Sequence, residues 1–383
     1  MHSIKVNVLN IAVNTRLLLH GRLEGIGWFT YENLKRMVLS HPEHTFYFIF
    51  DRPYHQSFIF SENVIPIVIG PQARHPLLYF LWFEISIRYV LWKIKADIFF
   101  SPDGYLSLRS KVKAINVFHD LNFEHYPKDL PLAERLYYRT FFKRYARKAC
   151  RIATVSEYSK QDIVKQYNIK PALIDVVYNG ANEAYKPVDE EIRTITRKKY
   201  TQGRPYFFFI GSLHPRKNLV NLFRAFDLFK ENDKQDHVLL IVGAKKWWTG
   251  EIADVFNNMK FKDLVFFTGR LETDEIKNVM GSAAALTYVS YFEGFGIPIV
   301  EAFRCGTPVI SSNVTSMPEV CGDAALLVNP FQPDDIARAM HTVVTDKALA
   351  NKLISNGYKR AEIFTWDKSS ERLWNCIEKA IQP

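Results

Sequence analysis

Cysteine is scarce in this sequence, and its spacing argues against the usual structural uses. Four cysteines occur in 383 residues, and no two of them form a C-x-x-C pair. Each stands among apolar or helix-forming neighbours. We therefore expect neither a disulfide framework nor a zinc site, and a reducing cytoplasm fits this composition. The four positions are Cys150, Cys305, Cys321 and Cys376.

Long hydrophobic runs are also missing. The segment Met1–Asn10 lacks the apolar core of a signal peptide. The most apolar stretch, Leu77–Trp92, is interrupted by Glu84 and Arg88 and is too short to cross a bilayer. We expect a cytoplasmic protein that is soluble or peripheral on the inner face of the cytoplasmic membrane.

Negative charge is in the minority, since 40 acidic residues against 50 basic ones leave a formal net charge of +10. An excess of cations suits an anionic partner, which can be a nucleotide, a phospholipid surface or a nucleic acid. Charge alone does not choose among them. With 48% hydrophobic and 23% charged residues the chain is globular, and its length suits two α/β domains.

Short apolar runs with little polar alternation occur along the whole chain, separated by helix-like segments. This pattern predicts parallel strands that are covered on both faces. The predicted strands are Ile4–Val8, Thr45–Phe50, Val64–Ile69, Asp97–Phe100, Ala114–Phe118, Arg151–Val155, Ile174–Tyr178, Tyr206–Ile210, Val238–Val242, Leu264–Phe267, Ala285–Val289, Pro308–Ile310 and Ala325–Val328. The predicted helices of the first half are Trp28–Leu39, Pro76–Ile94, Leu132–Ala149 and Ser159–Tyr167.

A charged stretch, Asn182–Arg204, divides these elements into two series and is predicted as the linker region between domains. The strand and helix alternation resumes directly after it. Two successive series of strand–helix–strand units predict an α/β fold with two Rossmann-like, doubly wound parallel sheets.

The segment Gly211–Asn218 follows the first strand of the second series. A tight loop is expected after Gly211, and a helix is expected to begin near Pro215, whose ring suits a first helical turn. Helix N-termini at the carboxyl ends of parallel strands offer free N–H groups to anions. Arg216 and Lys217 add two cations, so the segment indicates a phosphate site. A solvated Arg–Lys pair at a helix start is the alternative.

A second segment, Glu293–Ala302, combines two glycines with two carboxylates. The glycines let the backbone approach a ligand closely. Pro298 predicts a helix start that places Glu301 in the first turn. With Glu293 in the loop and Glu301 on the helix, we expect both to face the same crevice at different depths. Carboxylates there suit sugar hydroxyls, because an ionised oxygen accepts strongly from O–H. The alternative is a solvated loop acid and a partner of the helix dipole.

Two weaker signals lie in the first half. Gly25 and Gly27 form a G-x-G at the start of the first long helix, where a plain helix-entry turn would look the same. His119 follows the predicted strand Ala114–Phe118, which would place it at a cleft between domains. A single histidine is more often structural than functional.

Taken together, these segments resemble the retaining glycosyltransferases of the GT-B fold, in particular those of family 4. Glu293 and Glu301 match the family's E-x7-E motif with its internal F-G-x-P, and Gly211–Asn218 matches the phosphate-binding loop with its R-K-N triplet. The matches run in order along nearly the whole chain. The others are Gly25, Gly27, His119, Gly306–Ile310, Pro318–Val320 and Phe364–Trp366.

The resemblance implies two domains that face a central cleft. Residues 1–185 would form the acceptor-side domain, residues 200–366 the domain that binds the nucleotide sugar, and the helix 367–383 would cross back to the first. Implied catalytic residues are Arg216, Lys217, Glu293 and His119. Implied donor-binding residues are Gly25, Gly27, Gly211, Arg270, Phe295, Gly296, Ile297 and Glu301.

The resemblance also implies the roles of these residues. Arg216 and Lys217 would stabilise the departing nucleoside diphosphate, and Glu301 would bind the ribose. Glu293 would hold the donor sugar, and His119 would contact that sugar from the other domain. The leaving group would depart on the face that the acceptor attacks, with no protein nucleophile and no metal or other cofactor. The sequence has no Asp-x-Asp motif for a metal–diphosphate site.

The acceptor is less well defined. A glycan or lipid-linked acceptor, as in polysaccharide or lipopolysaccharide synthesis, would explain the basic composition. Leu132–Arg151 is rich in aromatic and basic residues, and Pro76–Ile94 is rich in aromatic ones. Both segments suit either an anionic membrane surface or core packing.

Other functions fit less well. A sugar-nucleotide epimerase or a sugar-phosphate synthase would share the fold, and the E-x7-E pattern argues against the epimerase. A Rossmann dehydrogenase would need a third glycine after Gly25 and Gly27, and this glycine is missing. Nucleic-acid binding has only the net charge in its favour and is not expected.

Overall fold

The computed structural model describes residues 8–233, 235–244, 248 and 250–382. The chain forms two compact units. The first contains the residues up to Gly180 together with those from Trp366 onward, and the second is Ala181–Thr365. Each unit contains one parallel sheet, so the predicted α/β class with two parallel sheets is confirmed.

The first unit is built on a seven-stranded sheet with the order β3-β2-β1-β4-β5-β6-β7. The chain builds outward from β1 in one direction and returns with β4 on its other side, so strand order reverses between β1 and β4. The strands are β1 (Asn10–Asn14), β2 (Thr45–Phe50), β3 (Val64–Val68), β4 (Ile98–Ser101), β5 (Lys113–Phe118), β6 (Arg151–Thr154) and β7 (Ile174–Val176). Except for Val8, the predicted strand Ile4–Val8 lies outside the described residues, and Val8 itself is not in a strand.

Crossover segments connect these parallel strands, and they contain α-helices except between β2 and β3 and between β4 and β5. The helices are α1 (Gly25–Ser40), α2 (Pro76–Leu81), α3 (Arg88–Lys93), α4 (Asn122–His125), α5 (Leu132–Lys148) and α6 (Glu157–Tyr167), with short 3-10 turns at Gln56–Phe58, Pro127–Asp129 and Pro171–Leu173. Both ends of α6 are fixed by residues of its own sequence. The Ser156 hydroxyl accepts from the N–H of Ser159 at 3.0 Å, and Asn168 ends the helix in the left-handed conformation.

The predicted helix Pro76–Ile94 changes its hydrogen bonding in the middle. Residues Trp82–Ile87 form a π-helical segment between α2 and α3. Glu84 in this segment is only 3% exposed, and its carboxylate accepts from the backbone N–H groups of Leu108 at 2.6 Å and Arg109 at 3.1 Å. This buried carboxylate therefore fixes the chain that follows β4.

The second unit is built on a six-stranded sheet with the order β10-β9-β8-β11-β12-β13, so strand order reverses between β8 and β11. Its strands are β8 (Tyr206–Ile210), β9 (Val238–Val242), β10 (Val265–Gly269), β11 (Ala285–Tyr288), β12 (Val309–Ser312) and β13 (Ala325–Val328). The central strands are continuous apolar runs because both faces of the sheet are covered.

The helices of the second unit cover these faces. They are α7 (Glu190–Thr201), α8 (Leu219–Lys230), α9 (Gly250–Asn257), α10 (Thr273–Gly281), α11 (Ile297–Arg304), α12 (Met317–Cys321), α13 (Pro333–Thr345) and α14 (Lys347–Ala361), with 3-10 turns at Pro215–Lys217 and Lys262–Leu264. α8 buries an apolar stripe that includes Leu222, Phe223 and Phe226.

The stretch predicted as a linker region contains α7, which packs against α10, β9 and β10 and is therefore part of the second unit. Asp189 caps its first turn by accepting from the N–H of Ile192 at 2.8 Å. The buried residues of α7 are Thr196 and Thr201. Because these are polar, the hydrophobic pattern does not show the helix.

The last helix, α15 (Trp366–Ile381), belongs to the first unit and packs against α1. Arg36 of α1 contacts Asp367 with a separation of 2.5 Å from Nε to Oδ1. The ring of Trp374 stacks on that of His41 with centroids 3.5 Å apart. α15 also contacts β5, β6 and β7 of the same sheet.

Candidate active site

The loop after β8 carries the two cations predicted to bind phosphate. Gly211 leaves the strand with a φ of 148°, which favours glycine. Pro215–Lys217 then form a single 3-10 turn, and Asn218 adopts the left-handed conformation with a φ of 62°. The helix expected near Pro215 therefore begins only at Leu219, because this turn and Asn218 precede it.

This loop is bonded to the strand across the point of reversal. The Asn218 side chain donates to the carbonyl oxygens of Val289 at 2.9 Å and Pro330 at 2.6 Å. The backbone N–H of Tyr291 donates to the carbonyl oxygen of Arg216 at 3.0 Å. These bonds fix the position of the cations relative to the end of β11.

Arg216 and Lys217 share one carboxylate, that of Glu293 in the loop after β11. Lys217 Nζ lies 2.5 Å from Oε1, and Arg216 Nη1 lies 2.6 Å from Oε2. The hydroxyl of Tyr288 accepts from Lys217 Nζ at 2.6 Å and donates to Glu293 Oε1 at 3.1 Å. Two cations and one carboxylate give these three side chains, the ion cluster, a formal net charge of +1.

The ion cluster is largely buried, and Arg216 is its most accessible charged member. The side chains of Lys217 and Glu293 are 8% and 7% exposed, and that of Arg216 is 23% exposed. Burial alone would raise the pKa of Glu293, but Arg216 and Lys217 outweigh it and lower this pKa to about 2. Burial, reinforced by the charge of Glu293, raises the pKa of Tyr288 well above its ordinary value. At neutral pH Glu293 is ionised and Tyr288 is protonated.

The backbone of Glu293 is held as firmly as its side chain. The hydroxyl of Ser316 donates to the Glu293 carbonyl oxygen at 2.9 Å, and the Glu293 N–H donates to Thr315 Oγ1 at 3.4 Å. Ser316, Thr315 and Tyr288 were not predicted from the sequence. A hydroxyl side chain in a strand or a turn carries no motif that would single it out.

Glu301 has the opposite electrostatic environment. α11 begins at Ile297 directly after Gly296, whose φ is 95°. Glu301 therefore lies in the second turn, and the prediction of the first turn is wrong because the helix starts one residue before Pro298. Burial raises the pKa of Glu301 to about 7, and a hydrogen bond with Tyr185 offsets this only in part. Tyr185 was not predicted as a site residue.

The turn from Glu293 into α11 contains further residues that were predicted to bind the donor. Phe295 is 3% exposed, and its ring stands edge-on to that of Phe364 with centroids 5.3 Å apart. Gly296 is buried and Ile297 partly buried. The structure thus brings these residues to the same edge of the sheet as Arg216.

Three neighbouring strands end in glycines with positive φ. Gly211, Gly243 and Gly269 follow or close β8, β9 and β10. Gly211 donates to the Val242 carbonyl oxygen at 3.0 Å, and Gly243 donates to that of Gly269 at 2.9 Å. A Cβ at Gly243 would lie 1.9 Å from the Gly211 carbonyl oxygen, so only glycine fits there. Gly243 was not predicted as a site residue from the sequence. Arg270 was predicted to bind the donor, and it lies exposed directly after Gly269.

Gly25, Gly27 and His119 lie in the first unit. Gly25 is the first residue of α1, so the glycine pair forms the first turn of this helix. His119 Nε2 lies 2.8 Å from the Pro102 carbonyl oxygen, and the ring stands edge-on to Phe29 of α1 with centroids 5.0 Å apart. Burial lowers the pKa of His119, so the neutral ring donates this hydrogen bond.

The helical segment from α2 to α3 and the helix α5 are neighbours, with Phe80 and Phe141 centroids 6.1 Å apart. Both bury aromatic rings and also present apolar side chains to solvent. Those at least half exposed are Leu77, Ile85, Tyr89, Trp92, Leu132 and Leu136. Exposed basic residues of the same elements are Arg88, Lys93, Arg139, Arg144 and Arg147. In the described part of the chain, no helix combines the length and apolarity needed to cross a membrane.

Metal-ligating side chains do not gather in the ranges that the structure describes. Within residues 8–233, 235–244, 248 and 250–382, no group of three or more His, Cys, Asp or Glu could hold a metal ion.

Known proteins resemble both halves of the chain. The family model of the glycosyl transferases group 1 matches residues 191–360, and that of glycosyltransferase family 4 matches residues 25–185. An O-antigen chain mannosyltransferase B of Escherichia coli is 27% identical over 309 residues, which are 80% of this chain and 81% of the relative.

Solved structures share the fold. Sucrose-phosphate synthase from Thermosynechococcus elongatus has a TM-score of 0.77 at 18% identity, over 97% of this chain and 98% of that chain. Anabaena HepE in complex with UDP and glucose has a TM-score of 0.76 at 16% identity, over 97% of this chain and 100% of that chain. At such identities the likeness shows the fold alone.

Two parallel-sheet domains with matches to these families define a glycosyltransferase of the GT-B fold. Within that class, the chain belongs to glycosyltransferase family 4. Every residue predicted for the site lies within the matched segments.

Proposed function

We propose that this enzyme is a retaining hexosyltransferase that uses a nucleoside-diphospho-sugar donor, with mannose as the first sugar to test. Its acceptor is a glycan or lipid-linked glycan in the synthesis of cell-surface polysaccharide or lipopolysaccharide. The observation that carries the proposal is the ion cluster of Arg216, Lys217 and Glu293, which has a formal net charge of +1 at the carboxyl edge of a sheet. The name of the Escherichia coli relative supports the sugar and the kind of acceptor.

Donor binding begins from cations that are already in place. Glu293 holds both of them, so the diphosphate finds a preorganised pair and no side chain has to be ordered first. Arg216 has the most exposed side chain of the three and reaches the phosphate oxygens first. The remaining lone pairs of Glu293 accept from sugar hydroxyls, and the carboxylate of Glu301 accepts from the ribose.

The rate enhancement comes from charge that develops during the reaction. As the bond between the anomeric carbon and the diphosphate oxygen breaks, negative charge grows on the leaving group beside Arg216 and Lys217. Fixed cations stabilise this charge more than they stabilise the bound donor, which raises the rate. The acceptor hydroxyl attacks on the face from which the diphosphate leaves, so the anomeric configuration is retained. The two cations supply the neutralisation, and the proposed reaction uses no metal.

The proposed location is the cytoplasm, with peripheral attachment to an anionic membrane surface. The support is the exposed apolar and basic side chains of α3 and α5, among them Trp92, Leu136 and Arg144. Apolar side chains would enter the interface while the cations face lipid phosphates. In a flotation assay, we expect binding to anionic vesicles at low salt and weaker binding after Trp92→Ser with Leu136→Ser. Failure of the wild type to float would contradict this.

The donor is identified by thermal shift with UDP, GDP and ADP, because the ligand that binds the folded state raises the melting temperature. Transfer of the matching radiolabelled sugar to a lipid-linked glycan is then measured, and the product's anomeric configuration is read by NMR. A product of inverted configuration would contradict the retaining mechanism. Conversion of the donor without an acceptor would favour an epimerase.

A further inference from the structure

The two sheets carry the same arrangement of charged residues where strand order reverses. In the second unit the cations follow β8, and the carboxylate they contact follows β11. In the first unit Arg16 follows β1, and its partner Asp103 follows β4 on the other side of the reversal. Ligands of open parallel sheets bind outside the carboxyl ends of the strands at this point. The donor site gives no role to Arg16 or Asp103.

Arg16 is buried against aromatic rings. Its Nε lies 2.5 Å from Asp103 Oδ2, and the two side chains are 9% and 1% exposed. The guanidinium carbon lies 4.7 Å from the ring centroid of Tyr105, 5.3 Å from that of Tyr79 and 6.0 Å from that of Phe83. These rings attract the cation but do not neutralise its charge.

Hydrogen bonding within this pair is unequal. Asp103 accepts from Arg16 and also from the Asn14 side chain at 2.9 Å and the Tyr105 N–H at 3.4 Å. Arg16 has five N–H groups, and its bonding partners in the described part of the chain are Asp103 and the hydroxyl of Tyr79. The carboxylate is therefore fully bonded, and the guanidinium has N–H groups left for a ligand.

The chain around this pair is held in place from several directions. Glu84 accepts from the N–H groups of Leu108 and Arg109, and the Asn116 side chain donates to the Gly104 carbonyl oxygen at 2.9 Å. Asp103 therefore lies in a fixed segment, and it holds Arg16 by Nε alone. A guanidinium held in this way presents its terminal nitrogens in one orientation.

We propose that Arg16 binds an anionic oxygen group, a phosphate or a carboxylate, carried by the acceptor. With Nε bonded to Asp103, the two terminal nitrogens form a fork that matches two oxygens of one anion. Tyr79, which is partly exposed, borders the fork and provides an apolar face for the sugar ring beside the anion, whereas the buried Tyr105 packs against the guanidinium. That the anion belongs to the acceptor rests on the proposed glycosyl transfer, whereas anion binding at Arg16 is independent of it.

The test variant must not leave a buried charge without its partner, because that change can unfold the unit. Arg16→Gln with Asp103→Asn replaces the ion pair with a neutral hydrogen-bonding pair. Arg16→Lys is a second variant that keeps the charge and removes the fork. The matched control is Arg52→Gln with Asp51→Asn, since Arg52 uses both Nε and Nη2 to bond the buried Asp51 after β2, at 2.6 and 2.9 Å.

The full chain is first saturated with the nucleoside diphosphate that stabilises it, which occupies the donor site. It is then titrated with methyl phosphate in one arm and with methyl glucuronide in the other, at constant ionic strength, and binding is followed by calorimetry. We expect the wild type to bind one of these anions in the millimolar range. Binding should weaken on the order of tenfold or more in both Arg16 variants and stay unchanged in the control. The arm that binds identifies the anion as phosphate or carboxylate.

Equal binding by the wild type and a folded Arg16 variant would overturn the proposal, and so would a wild type that binds neither anion. These outcomes are separate from the proposed function. If the chain binds the anion through Arg16 but transfers no sugar, the proposed function is refuted and the anion site at Arg16 stands. If the chain transfers sugar but binds neither anion, the anion site is refuted and the proposed function stands.

Discussion

Replacing Lys217 with methionine tests the central claim about the donor site. Methionine keeps most of the apolar stem but removes the ammonium group, which lies 2.5 Å from Glu293 and 2.6 Å from the Tyr288 hydroxyl. Arg216 remains 2.6 Å from the other oxygen of Glu293. The ion cluster then loses its excess positive charge but keeps one ion pair.

The size of the effect on stability follows from the pKa of Glu293. The cations lower it from 4.5 to about 2 against the effect of burial, a shift that corresponds to about 3 kcal/mol of stability. Because folding lowers this pKa, the stability is present above the unfolded pKa and is lost as pH falls toward 2. With one of two cations gone, we expect the variant to lose roughly half of it, about 1–2 kcal/mol at neutral pH. This difference from the wild type should shrink in acid.

The effect on catalysis should be larger and separable. We expect kcat to fall on the order of 10²-fold, because in the proposed reaction Lys217 faces the charge that develops on the leaving group. The matched control is Lys230→Met in the same unit, where a 7% exposed lysine lies 2.8 Å from the buried Asp233. It should lose comparable stability in urea unfolding and keep its kcat in initial-rate assays. A Lys217→Met enzyme with the kcat of this control would refute the reasoning.

Three further predictions concern pH, backbone space and metals. Folding raises the pKa of Glu301 to about 7, so the free energy of unfolding should decrease as pH rises from 4.5 through 7. Urea unfolding at several pH values should show this decrease in the wild type and a smaller one in Glu301→Gln. An equal pH dependence in both proteins would contradict the prediction. Gly243→Ala should lower the melting temperature and donor affinity, because its Cβ would lie 1.9 Å from the Gly211 carbonyl oxygen. Gly203→Ala, with φ 87° and nothing within 4 Å, should show only backbone strain, and equal effects would count against the crowding. Transfer should survive EDTA; abolition by EDTA and recovery with Mg²⁺ would show that the two cations are not sufficient.

Most strands could be predicted because each is a continuous apolar run that the sheet buries on both faces. β8 and β9 match their predicted limits, residue for residue. The beginning of the chain was harder. Apolar residues recur from Ile4 to Val13, and the pattern does not say which part pairs with β2. In the structure, Asn10–Asn14 pair with Thr45–Ile49 of β2. This long-range pairing, which the local pattern does not contain, determines where β1 lies.

The site was predictable where its residues are neighbours in sequence and not where the fold joins distant ones. Arg216 and Lys217 form one short motif. Arg16 and Asp103 are 87 positions apart and meet only because β4 returns beside β1. Gly243 is a single glycine after a strand, and its role depends on the carbonyl of a neighbouring strand. A single sequence does not contain these contacts as local patterns.

The two glutamates of the E-x7-E segment differ in protonation, and this difference limits the chemistry of each. Glu293, with a pKa of about 2 and both oxygens bonded to cations, is a weak base and a poor nucleophile. Glu301, with a pKa of about 7 set by burial, exchanges a proton near neutral pH. Retention through a covalent glycosyl-enzyme needs an available carboxylate, which Glu293 does not offer. This is consistent with the proposed departure and attack on one face, and a fluorinated donor analogue that labels Glu293 covalently would contradict that proposal.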